Sequence, residues 1–221
     1  MQSWADTGFG QLRKAGAFPS RAAVLGIVAA AQGVPRGDRR LVELHDAFRV
    51  HVATVRPGRV LRDFHTVEAV EGKAPTLTSR DYHHDAHFVA LIESATVSAV
   101  DDAIAALHDP TFTAFLGRRS CPPSVPLLPA PVQGDGLPEL IRQAESARRF
   151  APNTGESRPS GRADRVTVYL DGSPDRLPAE LAGARTTATY GSRRDRLVAP
   201  RRAYVDRPFT RVQISLSDVP E

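Results

Sequence analysis

The 221-residue sequence has one cysteine, Cys121, so an internal disulfide is excluded. A reducing compartment, the cytoplasm, is the natural expectation. No apolar run reaches the roughly 20 residues of a membrane-spanning helix. No basic-then-apolar leader opens the chain, so nothing points to secretion. Lysine is nearly missing: 27 of the 29 basic residues are arginine, and only Lys14 and Lys73 are lysine. A GC-rich genome produces the same bias, so this scarcity says little about function. Internal repeats are absent. His83, His84, Asp85 and His87 invite a metal reading, but adjacent histidines on a strand point to opposite faces. No cysteine pair or second cluster completes such a site, so neither a metal nor a cofactor is expected. His45, His51 and His108 read as surface residues.

What is present is an ordinary globular balance of charged and hydrophobic residues, with length enough for a substantial core. The charge is unevenly placed. Residues 142–211 hold 15 arginines against 8 acids, whereas residues 1–141 nearly cancel, with 14 basic and 15 acidic side chains. A basic C-terminal third suits a polyanion partner. A solvated basic surface would look the same.

Hydrophobic periodicity places the elements. Gln2 to Ala17 is polar and glycine-rich and reads as a loop. Ser20 is a helix N-cap candidate. Ala22 to Ala31 is apolar on every side, as in a fully buried helix, and Gly33 and Pro35 stop it. Asp38 can cap a short second helix carrying Leu41 and Leu44. Phe48, Val50 and Val52 alternate with Arg49 and His51 as in a strand. After a Pro57-Gly58 turn, Val60 to Val67 reads as a returning strand, and Glu68 to Ser79 as a protruding tip or loop. Phe88 to Ile92 is a short strand, and Ser98 to Leu107 an amphipathic helix. Residues 110–131 are loop-rich. Leu137 to Phe150 is a helix candidate, 151–162 a flexible linker, and Val166–Leu170 and Arg211–Leu216 are strands. This order suits an α+β sandwich of ferredoxin type.

One stretch stands out chemically: Leu116-Gly117-Arg118-Arg119-Ser120-Cys121-Pro122. A glycine permits close approach of the backbone to a ligand. The two arginines offer planar forks that match phosphate, Ser120 adds a hydroxyl, and the prolines stiffen the exit. A solvated turn with two surface arginines is the plain alternative. The same stretch resembles the glycine-rich loop of the CasD-type family, subunits of the type I-E CRISPR surveillance complex Cascade. That family lies within the repeat-associated RNA-binding protein superfamily. Met1-Gln2-Ser3-Trp4, Pro19-Ser20-Arg21 through Gly33, Asp63-Phe64-His65-Thr66-Val67, Tyr82 and Asp85-Ala86 match the family in the same order. The match covers roughly residues 1–130, and the C-terminal third follows it only loosely.

The resemblance implies a ferredoxin-like, RNA-recognition-motif-like α+β fold with a protruding hairpin thumb and a loop-rich basic C-terminal part. It implies one domain over 1–221: a core over 1–135 with its thumb at about 62–85, and a less certain part over 136–221 that includes the flexible stretch 151–162. The implied function is non-catalytic: an RNA-binding subunit that caps the 5′ handle of the CRISPR guide RNA in antiviral defence. Its implied partners are that RNA, the backbone subunit and the large subunit, with target DNA reached only through the complex and no membrane. Ser20 and Arg21 would face the handle from a helix start, where free N–H groups favour an anion, with Arg13 and Lys14 nearby. Arg62, His65, Thr66, Arg80 and Tyr82 flank the thumb. There the arginines would hold phosphates while His65 and Tyr82 stack on bases. Gly117, Arg118, Arg119 and Ser120 would cradle handle phosphates or nucleotides.

Two alternatives stay open. Some relatives in another CRISPR subtype cleave precursor RNA, and His65, Tyr82, His83, His84 and Arg118 would supply acid, base and cation for metal-independent cleavage. The arrangement of tyrosine, lysine and histidine expected of such relatives is not found. The other alternative is a basic protein-interaction domain without RNA. One departure from the family concerns the start: a first, central strand normally precedes the Gln-Ser-Trp motif. The expectation is a natural product about ten residues longer, and a poorly soluble chain without that strand.

Overall fold

The computed structural model describes residues 1–4, 12–68, 75–150, 165–172, 187–199 and 203–215. Its element order is β1 (Leu12–Arg13), α1 (Arg21–Ala31), α2 (Arg40–Ala47), β2 (Phe48–Arg56), β3 (Arg59–Val67), β4 (Thr76–His84), β5 (His87–Ser94) and α3 (Val97–His108), followed by α4 (Gly136–Phe150), β6 (Arg165–Asp171), β7 (Thr187–Ala199) and β8 (Ala203–Ser215). Among the described residues no helix is long and apolar enough to cross a membrane.

Two sheets result. The larger runs β5-β2-β6-β8-β7, with every neighbouring pair antiparallel. The smaller runs β1-β4-β3 and is built on the β3–β4 hairpin. Strand alternation sorts the large sheet's side chains to two faces. On one face Val166, Val168, Leu170, Val212 and Ile214 meet Leu137, Leu140, Ile141 and Ala144 of α4. On the other, Phe48, Val50 and Val52 meet Val24, Leu25 and Val28 of α1 and Ala103 of α3. β5 is covered on both faces, Val89 and Leu91 towards α4 and Phe88 and Ile92 towards α1 and α3. Its outer edge nonetheless has no strand partner among the described residues.

Most elements follow the sequence pattern. Ser20 caps α1, its hydroxyl accepting from the Ala23 N–H at 3.1 Å. Gly33, at φ +68°, ends the helix in a conformation that suits glycine. Asp38 bonds the Arg40 N–H, but the N-cap of α2 is Arg39. Two differences matter. The stretch expected as a tip is shorter, because Thr76–Ser79 already belongs to β4. The C-terminal part, expected to be loop-rich, supplies three strands to the large sheet, and β7 was not foreseen. The 151–162 linker lies outside the described residues.

His45 and His51 also differ: both are buried, at 5% exposure, while His108 is exposed as expected. The reason is an ionic network that threads the large sheet. Arg21 pairs with Asp171 at 3.3 Å. Arg207 bonds Asp171 at 2.7 Å and Asp195 at 3.0 and 3.3 Å. The Arg21 N–H, at the start of α1, donates to Asp195 at 3.0 Å. The Arg21 guanidinium also donates to the carbonyls of His45 and, at 2.5 Å, Phe48. Asp171 accepts from the Val50 N–H and donates its own N–H to His51 Nδ1, whose Nε2 meets Glu93 at 3.1 Å. The two arginines and two aspartates are each no more than 8% exposed in their side chains.

Two expectations follow. Removing one partner strands a buried charge, so Asp195→Asn should cost about 3–5 kcal/mol in urea unfolding, whereas breaking the exposed Arg194–Asp206 pair should leave the unfolding midpoint nearly unchanged. The second concerns acid. Burial, and next the Arg21 charge, push His45 down to about 4, and its Nδ1 accepts from the Leu197 N–H. An unfolded histidine takes its proton near 6.5. Stability from a neutral His45 is therefore complete above about pH 6.5 and is lost as pH falls towards 4. His45→Asn keeps an acceptor and removes the titration, so wild type should lose roughly 2–3 kcal/mol more than the variant across that window.

Candidate nucleic-acid interface

The N-terminal segment, β1, β4 and the Gly117 loop converge at the base of the β3–β4 hairpin. Gln2 pairs with His83 through two backbone bonds, and the Ser3 N–H donates to the Leu116 carbonyl. The Gln2 side chain reaches the Ala86 carbonyl at 2.7 Å and accepts from Trp4 Nε1 at 2.7 Å. The Gly16 N–H donates to the Trp4 carbonyl, and the Gly16 carbonyl meets His83 Nε2 at 2.7 Å. Trp4, almost fully buried, anchors this lacing.

Gly117 has φ +88°, and a Cβ there would sit 1.9 Å from the Ser3 carbonyl oxygen. The close backbone approach anticipated for a ligand is thus made to the N-terminal segment. Arg118 Nε then donates to the Ser3 hydroxyl at 3.0 Å, and its guanidinium lies 5.7 Å from the Tyr82 ring centroid. Arg119 and Ser120 are exposed beside it.

β1 runs parallel to β4 with Arg13 opposite Arg80. Paired residues share a face, and Tyr82 and His65 lie on that face by alternation along the hairpin. The structure therefore brings Arg13, Arg80, Tyr82 and Arg118 together, with His65 further along. Burial, and next the charge of Arg80, with Arg13 adding to it, hold the Arg118 guanidinium below its ordinary value. The Nε of Arg80 is buried without a hydrogen-bond partner among the described residues. The Arg118 guanidinium stands over the Tyr82 ring, and Arg80 and Arg13 are near enough to repel it, an arrangement in which an intervening anion would relieve the repulsion.

Other predicted residues lie elsewhere. Arg21 belongs to the interior network, and its side chain is 7% exposed, so the expected handle contact is corrected to a structural role. Ser20 is buried and occupied in capping α1. Tyr82, at 6% exposure, lies beneath Arg118 and presents no free face for a base. Arg62 is on the opposite face of the hairpin and pairs with Asp81 at 2.8 Å. That bond is the chief cause of the lowered Asp81 carboxyl. Lys14 and Thr66 are exposed. His65 Nε2 lies 2.6 Å from an Asp63 carboxylate oxygen, without hydrogen-bond geometry. Residues 69–74, the thumb tip, lie outside the described residues.

Comparison with known proteins decides the family. Residues 1–203 match the family model described as CRISPR-associated protein (Cas_Cas5). The chain belongs to this family. It is 32% identical over 146 residues to the CRISPR system Cascade subunit CasD of Escherichia coli (strain K12), a match covering 58% of this chain and 65% of that relative, just under two thirds of its length. A chain of a CRISPR RNA-guided surveillance complex superposes with a TM-score of 0.70 at 25% identity, covering 97% of this chain and 86% of that one. A second solved structure, a Cas protein, has a TM-score of 0.65 at 22% identity over 100% of this chain and 93% of the other, and supports the fold alone.

The Gly117 geometry sets one expectation. Gly117→Ala combines a left-handed φ with a clash against main chain that cannot rotate away, so it should destabilise the fold by about 1–3 kcal/mol or more in thermal or urea unfolding. An alanine variant that melts like wild type would show that the loop is not pinned against Ser3.

Proposed function

We propose that the chain is a non-catalytic RNA-binding subunit of a type I-E Cascade-like surveillance complex. In this reading it caps the 5′ handle of the CRISPR guide RNA beside the backbone and large subunits. The observation that carries the RNA-binding part is the grouping of Arg13 and Arg80 with Arg118, which lies over Tyr82, with Arg119 and Lys14 exposed nearby. Like charges held this close favour a polyanion, and the local groups are arginines, whose planar forks suit phosphate. Membership of a CRISPR-associated family and the superposition on a surveillance-complex chain support the assembly in which this would occur.

Three features favour binding over cleavage. The Tyr82 ring is covered by Arg118. His83 is turned to the Gly16 carbonyl, on the opposite face from Tyr82. His84 sits exposed 3.5 Å from Asp85. A general acid and base must both reach one substrate position, and these groups diverge. Among the candidate contacts, Arg13, Lys14, Arg80, Arg118, Arg119 and Ser120 form the core of the interface and His65 extends it along the same hairpin face, while Arg62 and Thr66 are on the other face and would need a second stretch of RNA. Gly117 fixes the loop.

The test is binding of repeat RNA, by the chain alone and with its partner subunits. The RNA should be retained at full length without added metal. Arg80→Ala and Arg118→Ala should each weaken binding by about 1–3 kcal/mol and reduce the log–log salt slope by about 0.7. Site-specific cleavage that disappears in His65→Ala would favour the ribonuclease instead. Folded variants with unchanged affinity and slope would overturn the phosphate site.

A further inference from the structure

The loop that follows β1 forms one wall of an open cleft whose other wall is the large sheet. Gly16, Ala17 and Phe18 line one side, and Tyr169 of β6, Ser192 and Arg193 of β7, and Phe209 and Arg211 of β8 line the other. Its volume is about 490 Å³, within the range of about 300–1,000 Å³ typical of small-molecule sites. The lining is aromatic. Phe18 and Tyr169 stack at 3.6 Å between ring centroids, and Phe209 meets them at 5.5 and 6.1 Å. Phe209 fits because Gly191 has no side chain: a Cβ there would lie 2.4 Å from the Phe209 ring.

These rings are not all used up in core packing. Phe18 is buried, sandwiched between Tyr169 and Arg193, whose guanidinium lies 4.9 Å from the Phe18 centroid and donates to the Phe18 carbonyl at 3.2 Å. Tyr169 and Phe209 are only partly buried. Beyond them the same sheet face carries Thr167, Arg211 and Gln213, each exposed or half-buried. Arg211 is at the mouth, bonded to the Tyr169 hydroxyl.

An aromatic floor with an arginine at its rim is the chemistry that holds a flat heterocycle attached to a phosphate. The cleft also adjoins the anion site. Arg13 and Ala17 are four residues apart, a span of at most about 14 Å of chain. That separation is within reach of one RNA strand whose phosphates meet Arg13, Arg80 and Arg118 and whose next base turns towards the cleft. We infer that this cleft is a nucleobase site, in which one unstacked base of the bound RNA packs on the Tyr169 and Phe209 rings while Arg211 holds an adjoining phosphate. The inference rests on the RNA-binding reading above and adds a stacking subsite to it.

The test uses repeat RNA carrying 2-aminopurine at successive positions of its single-stranded end, with the chain in the presence of its partner subunits. One position should be quenched on binding to wild type. Phe209→Leu keeps the bulk and removes the flat face, so that position should regain its fluorescence and affinity should fall about 5- to 30-fold, with the salt slope unchanged. Arg211→Gln, at an exposed site, should lower affinity and flatten the slope while leaving the quench in place. Circular dichroism melting of Phe209→Leu serves as the fold control, and Arg211→Gln is the variant that decides if that control fails. Wild-type binding with no quenched position, or with both variants binding as wild type does, would overturn the cleft and leave the phosphate site standing. No binding by wild type would overturn the RNA reading itself.

Discussion

The interior of this protein turns on two arginines and two aspartates that have almost no access to water. Arg21 opens α1, Asp171 ends β6, Asp195 lies on β7 and Arg207 on β8. Isolated, each of these charges would be severely penalised by burial. Together they are neutral, and their hydrogen bonds reach backbone groups of β2 and α1 as well. A network of this kind is weak evidence for high stability, because desolvation offsets much of its attraction. Its consequence here is geometric: the start of α1, the end of β6 and the interiors of β7 and β8 can meet in only one arrangement. That arrangement also places the Gly16–Phe18 loop, which lies immediately before α1, against β6, β7 and β8.

The second constraint is the lacing of the N-terminal residues. Gln2, Ser3 and Trp4 bond in turn to β4, to the Leu116 carbonyl and to Gly16. The arginines at the hairpin base are consequently held by four separate stretches of chain. Arg13 comes from β1, Arg80 from β4, Arg118 from the loop, and Ser3 positions Arg118. A cluster of like charges cannot assemble itself, so it persists because unrelated packing forces place it.

Much of this was legible in the sequence, for reasons of pattern. The apolar run of α1, the alternation of β2 and the Pro57-Gly58 turn each express a local rule, and the structure follows them. The family resemblance at Gly117-Arg118-Arg119-Ser120 likewise agrees with the family the chain belongs to. Arg21, His45 and His51 were misread because burial of a polar side chain depends on partners far away in sequence: Asp171 and Asp195 lie 150 and 174 residues beyond Arg21. β7 was missed because its Arg193-Arg194-Asp195-Arg196 run looks like a solvated surface. Its alternation carried the signal, since Arg193 and Asp195 point inward while Arg194 and Arg196 point outward. Tyr169 and Phe209 stood in strand candidates or near one, but only the sheet register brings them beside Phe18.

The same network has a bearing on how the chain is made. The aspartates that neutralise Arg21 are synthesised 150 and 174 residues after it. At about 5–20 residues per second, that interval is roughly 10–30 s. Throughout it, α1 can pack against α2, β2 and α3, but it does so with its first residue still hydrated and the mid-sheet position of β6 empty. Closure of the large sheet is therefore a long-range step of the kind that slows folding. A nascent chain in this state presents an unfilled edge of β2 beside a guanidinium that has its carbonyl partners at His45 and Phe48 but not yet its aspartates.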